Sequence, residues 1–534
     1  MQSTIRYTLR CTLALLLAVV IAGCTALPAG PTANNGLTFS SAYYGIRFVD
    51  AETRRGIPLV QLHTKHGLRY VSDSGGWIAI HPDDVALQTV YYRVTSDGYS
   101  LPGMDAQMQG FRTTVKAGEG RQIPLQRHNL AERLYRITGE GIYHDSQLLG
   151  QPIPEGVPTT TAGGVFGQDS VMNAIYKGQL HWFWGDTLRG DHPLGNFAVS
   201  GAVSTLPAAA SIAPATGVAL EYFVGADNFV RPMCPLDAPG PVWINCLLVF
   251  EEDEREHMFA LYVRTSKTME RLEAGIARWN DELAIFEKQR EIPVDAPMLA
   301  YGHPIARQVG EDPWRYYGYV MPYIRVPARQ AAVLDTDSYE IYSCLKPGHT
   351  WNEKSPALDR DASGQLNCNW KANTSPIEPK QWEQLIASGF VRADEYRGRL
   401  VSNETNEVIV PHRGTVVWND YRQRWVMIAV QVGGSSYLGE VWYAESPSPF
   451  GPWSNVTKIA THDDYTFYNV KQHPYFAHGP YIYFEGTYTR TYSGRRQPTP
   501  RYDYNQIMYR IDLSNPALVG LSPTTAADGK PHRR

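Results

Sequence analysis

The chain has 534 residues and a formal net charge of −4 at pH 7. Single hydrophobic cores stop growing below that length, so at least two domains are expected. The small negative charge provides no basic footprint, which argues against nucleic-acid binding. Aromatic residues make up 12% of the chain, and 46 glycines and 37 prolines predict many turns. Together these features indicate an all-β protein.

The N-terminal residues carry two arginines and an apolar run that ends at Ile21. The run is shorter than the roughly twenty residues of a membrane-spanning helix, but it fits a secretory signal. The segment Ile21-Ala22-Gly23-Cys24 resembles the lipobox of bacterial lipoproteins. This resemblance implies a signal peptide over 1–23, with lipid on Cys24 as a membrane anchor, at the outer membrane or cell surface. The alternative is an ordinary signal that is cleaved nearby.

Two segments are expected to follow the anchor. Residues 24–40 are small and polar and predict a flexible tether. Residues 41–128 show short alternating strands and predict a small β-sandwich. This segment resembles the carboxypeptidase-regulatory or prealbumin-like module, which implies a spacer or adhesion unit without chemistry of its own. The matching positions are Asp50, Thr53, Ile57, Pro58 and the turn 72–76.

The segment 129–515 contains an internal repeat of an apolar strand, a turn and an aromatic strand. Five copies begin near residues 168, 246, 302, 412 and 472. Radially repeated four-stranded sheets form propellers, so the repeat predicts a five-bladed β-propeller. In the second copy, 266–289 has helix-forming composition, but 275–287 is also consistent with a hairpin, which propeller periodicity favours. Residues 516–534 are expected to be a disordered tail.

Four cysteines remain besides Cys11 and Cys24: Cys234, Cys246, Cys344 and Cys368. An even number in an oxidising compartment suggests disulfides, and four cysteines allow three pairings. We expect the local pairs 234–246 and 344–368, since each would close a loop rich in proline or glycine. A metal site is the alternative, but no C-x-x-C or histidine-rich spacing supports it. No metal or cofactor is therefore expected.

Several phrases in the repeat resemble the five-bladed propeller glycoside hydrolases of the arabinanase, xylosidase and fructofuranosidase type. They are Asp169, the turn Lys177-Gly178, the strand Trp182-Phe183-Trp184, and the phrase from Ala444 to Trp453. The outer-strand phrase marks the fold and not the catalyst. The resemblance implies a hydrolase of an extracellular polysaccharide, with furanose-containing glycans such as arabinan as candidates.

A glycosidase needs two carboxyl groups at one glycosidic bond, one protonated and one ionised. Inner strands of a propeller converge on its axis, so acids at strand ends of different blades can meet there. Four acids lie at such ends: Asp169, Asp186, Glu440 and Glu485. Asp169 best matches the base or nucleophile of the family, and Asp186 or a glutamate would be the acid. Each of the four could instead occupy a turn or the rim.

Three histidines open inner strands where the family often carries an acid: His303, His412 and His473. They could contact sugar hydroxyls, orient a carboxylate or bind a metal. Weaker candidates for sugar contacts are Arg413, Asn173 and Tyr468. No G-x-S-x-G, Walker or HExxH motif supports an esterase, nucleotide-binding or zincin function. The alternative function is a non-catalytic glycan-binding or adhesion lipoprotein whose pocket has lost an acid.

Overall fold

The structure is a computed structural model that describes residues 36–85, 89–105, 108–157, 163–190, 198–209, 212–494 and 497–518. The predicted signal peptide, the predicted lipid attachment at Cys24, most of the predicted tether and the predicted tail beyond Leu518 lie outside these residues. None of the described helices is long and apolar enough to cross a membrane. The described helices are α1 (Pro82–Val85), α2 (His144–Leu148), α3 (Gln330–Leu334), α4 (Pro379–Ala387), and 3₁₀ helices at Thr336–Ser338, Ala393–Glu395, Pro474–Phe476 and Pro516–Leu518.

Strands dominate the described chain, as the all-β prediction requires. The N-terminal strands are β1 (Leu37–Thr38), β2 (Tyr44–Asp50), β3 (Gln61–His63), β4 (Arg69–Val71), β5 (Trp77–Ile80), β6 (Thr89–Thr95), β7 (Tyr99–Ser100), β8 (Gly110–Thr114) and β9 (Glu119–Arg127). They form two sheets, β1-β9-β2-β5 with β7 beside β9, and β4-β3-β6-β8. Both sheets contribute to one hydrophobic cluster. The strand β1 lies within 24–40, the range predicted as a tether.

The described residues after β9 form five sheets of four or five strands. Sheet I contains β12 (Met172–Tyr176), β13 (Gln179–Trp184), β15 (Ser200–Ser204) and β16 (Glu221–Tyr222). Sheet II contains β17 (Val242–Glu252), β18 (Arg255–Thr265), β19 (Arg271–Asn280) and β20 (Ile285–Ile292). Sheet III contains β21 (Ile305–Val309), β22 (Asp312–Tyr317), β23 (Ile324–Pro327), β24 (Glu340–Ser343) and β25 (Asn369–Ala372).

Sheet IV contains β28 (Pro411–Asn419), β29 (Arg424–Gln431), β30 (Glu440–Ser446) and β31 (Ser454–Thr461). Sheet V contains β32 (Lys471–Gln472), β33 (Tyr481–Tyr488), β34 (Asn505–Asp512) and β10 (Glu132–Arg136). Two short ladders complete the region, β11 (Val165–Gln168) with β14 (Thr187–Arg189), and β26 (Leu400–Val401) with β27 (Val408–Ile409). The hairpin predicted in the second repeat is confirmed as β19 and β20.

Sheets I to V form a cycle of neighbours. Separate hydrophobic clusters join sheet I to II, II to III, III to IV, IV to V, and V back to I. The cycle includes both ends of the region, because β10 pairs with β34 in sheet V. Residues from the first strand of every sheet line one cavity of about 840 Å³. The inner strands therefore surround a shared space.

Local sequence explains how the first hairpin forms. Lys177 and Gly178 connect β12 to β13, and both have positive φ, 50° and 75°. A two-residue type I′ turn requires this conformation at both positions, and its twist matches that of the flanking strands. The hairpin places the beginning of β12 and the end of β13 at the same edge of sheet I. The candidate site lies at this edge.

Candidate active site

Asp169 and Asp186 face each other across one extended hairpin. Asp169 follows β11, Asp186 precedes β14, and these strands pair through Gln168 and Thr187. The N–H of Asp186 donates to Asp169 Oδ1 at 2.9 Å. A Cβ at Gly185 would lie 2.2 Å from that oxygen, so a glycine is required for the close approach. Both acids come from sheet I, whereas the sequence predicted that acids of different blades would meet.

One tyrosine hydroxyl joins the two carboxylates. Tyr504 precedes β34 of sheet V, and its hydroxyl lies 2.8 Å from Asp169 Oδ2 and 3.3 Å from Asp186 Oδ2. Tyr468 also donates to Asp169 Oδ2. Trp243 of sheet II donates from Nε1 to Asp186 Oδ1 at 2.9 Å. The carboxyl pair and its hydrogen-bond donors thus come from sheets I, II and V and from the connection before sheet V.

Burial raises the pKa of both carboxyl groups. Asp169 is 7% exposed, and burial raises its pKa, although hydrogen bonds from Tyr468, Tyr504 and the Asp186 N–H oppose this effect. Burial also raises the pKa of Asp186, and the negative charge of Asp169 raises it further. Two adjacent buried carboxyl groups resist double ionisation, so the pair retains a proton more readily than isolated carboxyls do. The arrangement provides an acid beside a base.

The backbone around the pair adopts rare conformations. Ser170, Asn469 and Tyr504 have φ of 52°, 60° and 64°. For a bulky residue such as tyrosine this region is a genuine outlier. The N–H of Ser170 donates to Thr487 Oγ1 at 3.1 Å, and Asn469 Nδ2 donates to Ser170 Oγ at 2.5 Å. Strained backbone of this kind gathers at functional sites, which supports a functional role for this edge.

Aromatic rings lie next to the carboxyl pair. Tyr492 contacts Tyr468 edge-on, with ring centroids 5.8 Å apart, and Tyr437 lies 6.4 Å from Tyr492. Tyr492 is 61% exposed and Tyr437 is 48% exposed. Burial of part of the Tyr492 ring, and then the charge of Asp169, raise the pKa of Tyr492. Exposed amphipathic rings beside two carboxyls are suited to the apolar faces and hydroxyl edges of a sugar.

A second polar cluster, which we call the deep cluster, lies in the interior. Glu485 and His473 are almost fully buried, and Glu485 Oε1 lies 3.5 Å from His473 Nε2. Asn173 Nδ2 lies 3.2 Å from His473 Nδ1, and Tyr475 donates to Asn173 Oδ1. Within the described chain, neither Glu485 oxygen accepts a hydrogen bond. Burial raises the pKa of Glu485 to about 8 and lowers the pKa of Lys471 to about 7.

Glu440 lies apart from both groups. It begins β30, which is the third strand of sheet IV. Its Oε1 accepts a hydrogen bond from Ser435 N at 3.1 Å and lies 3.2 Å from Lys458 Nζ. These contacts join a strand end to the neighbouring strand, and the structure does not bring Glu440 to Asp169.

The remaining candidates lie along the inner strands. Arg413 stacks over Tyr319 at 3.9 Å and lies 5.7 Å from the ring of Tyr301. Burial and then the charge of Arg413 lower the pKa of His412 to about 4, so this histidine is neutral at pH 7. His303 lines the cavity between the inner strands. In the part of the chain that the structure describes, no three His, Cys, Asp or Glu residues are grouped to hold a metal.

The cysteine prediction is confirmed in one half and wrong in the other. Cys344 and Cys368 form a disulfide, whereas Cys234 and Cys246 are free and buried. Cys246 belongs to the cluster between sheets II and III, and Cys234 belongs to the cluster between sheets I and II. The two thiols therefore pack on opposite faces of sheet II. Spacing in the sequence does not reveal which face a side chain occupies.

Several residues of these clusters are absent from the sequence-based candidates, among them Trp243, Tyr504, Lys471 and Tyr475. Trp243 lies in an ordinary strand, and Tyr504 lies in a polar stretch before the last strand. Neither position matches a motif. The only sequence signal was the aromatic content of the whole chain, which does not single out a residue. Their roles depend on contacts between separate sheets.

No family model and no curated protein matches this sequence. Solved structures with similar folds include one from Bacteroides ovatus, with 13% identity and a TM-score of 0.41 over 66% of this chain and 88% of that chain. An exo-1,5-α-L-arabinanase from a bovine ruminal metagenomic library shows 10% identity and a TM-score of 0.30, covering 64% and 92%. An exo-β-1,3-galactanase from Phanerochaete chrysosporium shows 10% identity and a TM-score of 0.33, over 71% of this chain and 64% of that chain. Likeness at this level supports no argument about activity, which depends on the geometry of the site.

Proposed function

We propose that this protein is a glycoside hydrolase whose general acid is Asp186 and whose nucleophile is Asp169. The observation that carries the proposal is the buried carboxyl pair that shares the Tyr504 hydroxyl. A pair of carboxyl groups, one protonated and one ionised, is the minimum machinery for cleaving a glycosidic bond. Exposed tyrosines beside the pair provide surfaces on which a sugar ring can pack.

The surroundings of each carboxyl group suggest its role. Asp169 accepts hydrogen bonds from the Asp186 N–H, Tyr468 and Tyr504, and each of these favours its ionised form. Asp186 is more exposed, and both burial and the charge of Asp169 raise its pKa. The shared proton therefore resides on Asp186. Asp186 acts as the general acid, and Asp169 acts as the nucleophile.

Asp169 Oδ2 and Asp186 Oδ2 lie 2.8 Å and 3.3 Å from the same Tyr504 hydroxyl, and this proximity favours a retaining mechanism. Retaining enzymes place their carboxyls about 5–5.5 Å apart, whereas inverting enzymes leave room for a water. In the first step, Asp186 transfers its proton to the glycosidic oxygen while the C1–O bond breaks and an Asp169 oxygen bonds to C1. In the second step, Asp186 takes a proton from water, the water oxygen bonds to C1, and the Asp169–C1 bond breaks.

The architecture supports action on a large glycan. We interpret sheets I to V as the five blades of a propeller, since they form a cycle around a shared cavity. The two N-terminal sheets would form the predicted β-sandwich, which would act as a spacer. With lipid on Cys24, this module would hold the propeller away from a membrane, where polysaccharides too large for import are met. Arabinan and other furanose-containing glycans remain the proposed substrate class.

Release of reducing ends tests the proposal. We expect the purified chain to release reducing ends from at least one glycan in a panel of arabinan, xylan and fructan. Asp169→Asn should abolish the release because the nucleophile is lost. Asp253→Asn, on an exposed turn between β17 and β18, is the matched control and should be fully active.

Two outcomes would contradict the proposal. Activity that survives Asp169→Asn would exclude the assigned nucleophile. Binding of a glycan without any release of reducing ends would favour the non-catalytic glycan-binding protein. Proton NMR of the first product gives the stereochemistry, and an inverted anomeric centre would contradict the retaining mechanism.

A further inference from the structure

A second pocket, with a volume of about 510 Å³, opens beside sheet III. Its lining comes from the connection between β22 and β23, from the segment 342–398, and from the loop after β30. The Cys344–Cys368 disulfide closes part of this segment. Neither the carboxyl pair nor the deep cluster lines it. The volume lies within the range of about 300–1,000 Å³ that is typical of ligand sites.

Aromatic rings dominate the lining of this pocket. Tyr342, Trp370 and Phe450 are partly exposed and pack together, with Tyr342 5.5 Å from Trp370 and 6.2 Å from Phe450. Tyr396 stacks on Trp382, with ring centroids 4.7 Å apart. Tyr396 is only 8% exposed, and its buried hydroxyl has no hydrogen-bond partner among the described residues. A buried hydroxyl without a partner destabilises the pocket, so a ligand that pairs with it gains affinity.

The charges of the lining cancel one another. The charged residues are two cations and two anions: Arg392, Arg397, Asp394 and Glu395. Arg392 pairs with Asp394 at 3.1 Å, and Arg397 donates to the carbonyl oxygen of Gly451 at 2.9 Å. A pocket with aromatic faces, an unpaired hydroxyl and no net charge matches a neutral sugar better than an anionic ligand.

Contacts connect this pocket to the carboxyl pair. Tyr319 lines the pocket, and Arg413 stacks over its ring. The Arg413 guanidinium also lies 5.7 Å from the ring of Tyr301, whose hydroxyl donates to Val171 O at 3.3 Å. Val171 is two residues from Asp169. Tyr319 follows β22, the second strand of sheet III, and Asp186 follows β13, the second strand of sheet I. Both sites therefore lie where the second strand of their sheet ends.

We propose that the pocket beside sheet III binds a neutral sugar unit of the same glycan chain that is cleaved at Asp169 and Asp186. The identity of that glycan rests on the proposed function. A short oligosaccharide cannot occupy both the pocket and the carboxyl pair. Binding in the pocket would therefore make the protein prefer long glycan chains. The surface of Tyr319, Arg413 and Tyr301 would carry the intervening sugars.

Calorimetric titration of paired variants tests the proposal. All variants carry Asp169→Asn to prevent turnover, and the probes are hexasaccharides and disaccharides prepared from arabinan, xylan and levan. Gln365→Trp places a bulky ring in the pocket, and Tyr396→Phe removes only the hydroxyl. Gln289→Trp, on the exposed face of β20 in sheet II, is the matched control. Thermal unfolding establishes that each variant is folded.

We expect Gln365→Trp to weaken hexasaccharide binding about tenfold or more, which corresponds to about 1.4 kcal/mol. Tyr396→Phe should weaken it less, and disaccharide binding at the carboxyl pair should not change. Equal hexasaccharide affinities in all variants, or no hexasaccharide binding at all, would overturn the proposal. Pocket-dependent binding in a wild-type chain that never releases reducing ends would instead contradict the hydrolase and retain the pocket.

Discussion

The carboxyl pair and the deep cluster both contain acidic side chains, but these side chains differ in their hydrogen bonds and in their exposure. Asp169 and Asp186 accept hydrogen bonds from four groups, and Asp186 reaches the surface. Glu485 is fully buried, and neither of its oxygens accepts a hydrogen bond in the described chain. Both regions hold carboxyls whose pKa is raised by burial. A raised pKa therefore does not distinguish a catalytic acid from a buried structural one.

Access and donors make the distinction. A general acid must lie within reach of the glycosidic oxygen, which requires an exposed edge. Asp186 has that access, and Asp169 beside it has donors that stabilise its ionised form. Burial raises the pKa of Glu485 to about 8, which keeps its proton at pH 7, but its side chain is fully buried among the described residues.

The largest effect is expected from Asp186→Asn. Loss of the general acid should lower kcat/KM about 10²- to 10⁴-fold on a natural glycan. Burial, and then the negative charge of Asp169, raise the pKa of Asp186, so the wild-type rate should fall at alkaline pH as Asp186 loses its proton. The variant should lack this alkaline decline, and a pH–rate profile measures it. An unchanged alkaline limb in the variant would assign the acid to another residue.

Tyr504→Phe should have the next largest effect. The lost hydrogen bond to a charged group corresponds to about 1.5–3 kcal/mol, or roughly a 10- to 100-fold fall in kcat/KM. The Tyr504 hydroxyl lowers the pKa of Asp169, so its removal raises that pKa. The acid limb of the profile should then move to higher pH. Tyr421→Phe, an exposed tyrosine on a turn of sheet IV, is the control, and a rate loss without a shifted limb would indicate a structural role only.

Glu485→Gln should change stability more than activity. Burial raises the pKa of Glu485 from 4.5 to about 8 in the folded chain, so the folded state binds more protons than the unfolded state between these values. The contribution of Glu485 to stability therefore falls as pH rises from 4.5 to 8, by at most about 1.4 kcal/mol per pH unit. Denaturant unfolding of wild type and variant should diverge across this window, with the variant favoured at high pH.

Lys471 is expected to contribute to stability with the opposite pH dependence. Burial lowers its pKa from 10.5 to about 7, so the unfolded state binds more protons between pH 7 and 10.5. Its contribution to stability consequently rises with pH in that interval, opposite to that of Glu485.

Hydrolysis by Glu485→Gln should remain comparable with wild type. Loss of hydrolysis in a folded variant would move the general acid from the surface pair to the deep cluster.

The smallest effect is expected from Glu440→Gln. Its partner Lys458 is partly exposed, so the ion pair should contribute no more than about 1 kcal/mol to the free energy of unfolding. The catalytic rate should stay within about twofold of wild type, because surface changes away from a site are usually small. Measurement of kcat/KM and of the unfolding midpoint checks both values. A fall comparable with that of Asp186→Asn would restore Glu440 as a candidate acid.

The sequence predicted those features that depend on residues close together in the chain. The hairpin of β19 and β20 was predicted from the propeller repeat against a helix-forming composition, and the turn at Lys177-Gly178 fixed the first hairpin. Asp169 and Asp186 both lie on that extended hairpin, 17 residues apart in the chain. The Cys344–Cys368 bridge also joins positions that are close in sequence. Each of these features depends on neighbours along one stretch of chain.

Tertiary structure alone decided which acids meet and which do not. The sequence predicted similar places for Glu485 and Asp186, each at the end of an aromatic strand beside a glycine. This expectation is wrong for Glu485, which lies inside β33 and is fully buried where sheet V packs against sheet I. Tyr504 and Trp243 reach the carboxyl pair from different sheets. Burial, donors and access are properties of the assembled sheets, because they depend on side chains that lie up to 335 positions apart in the chain.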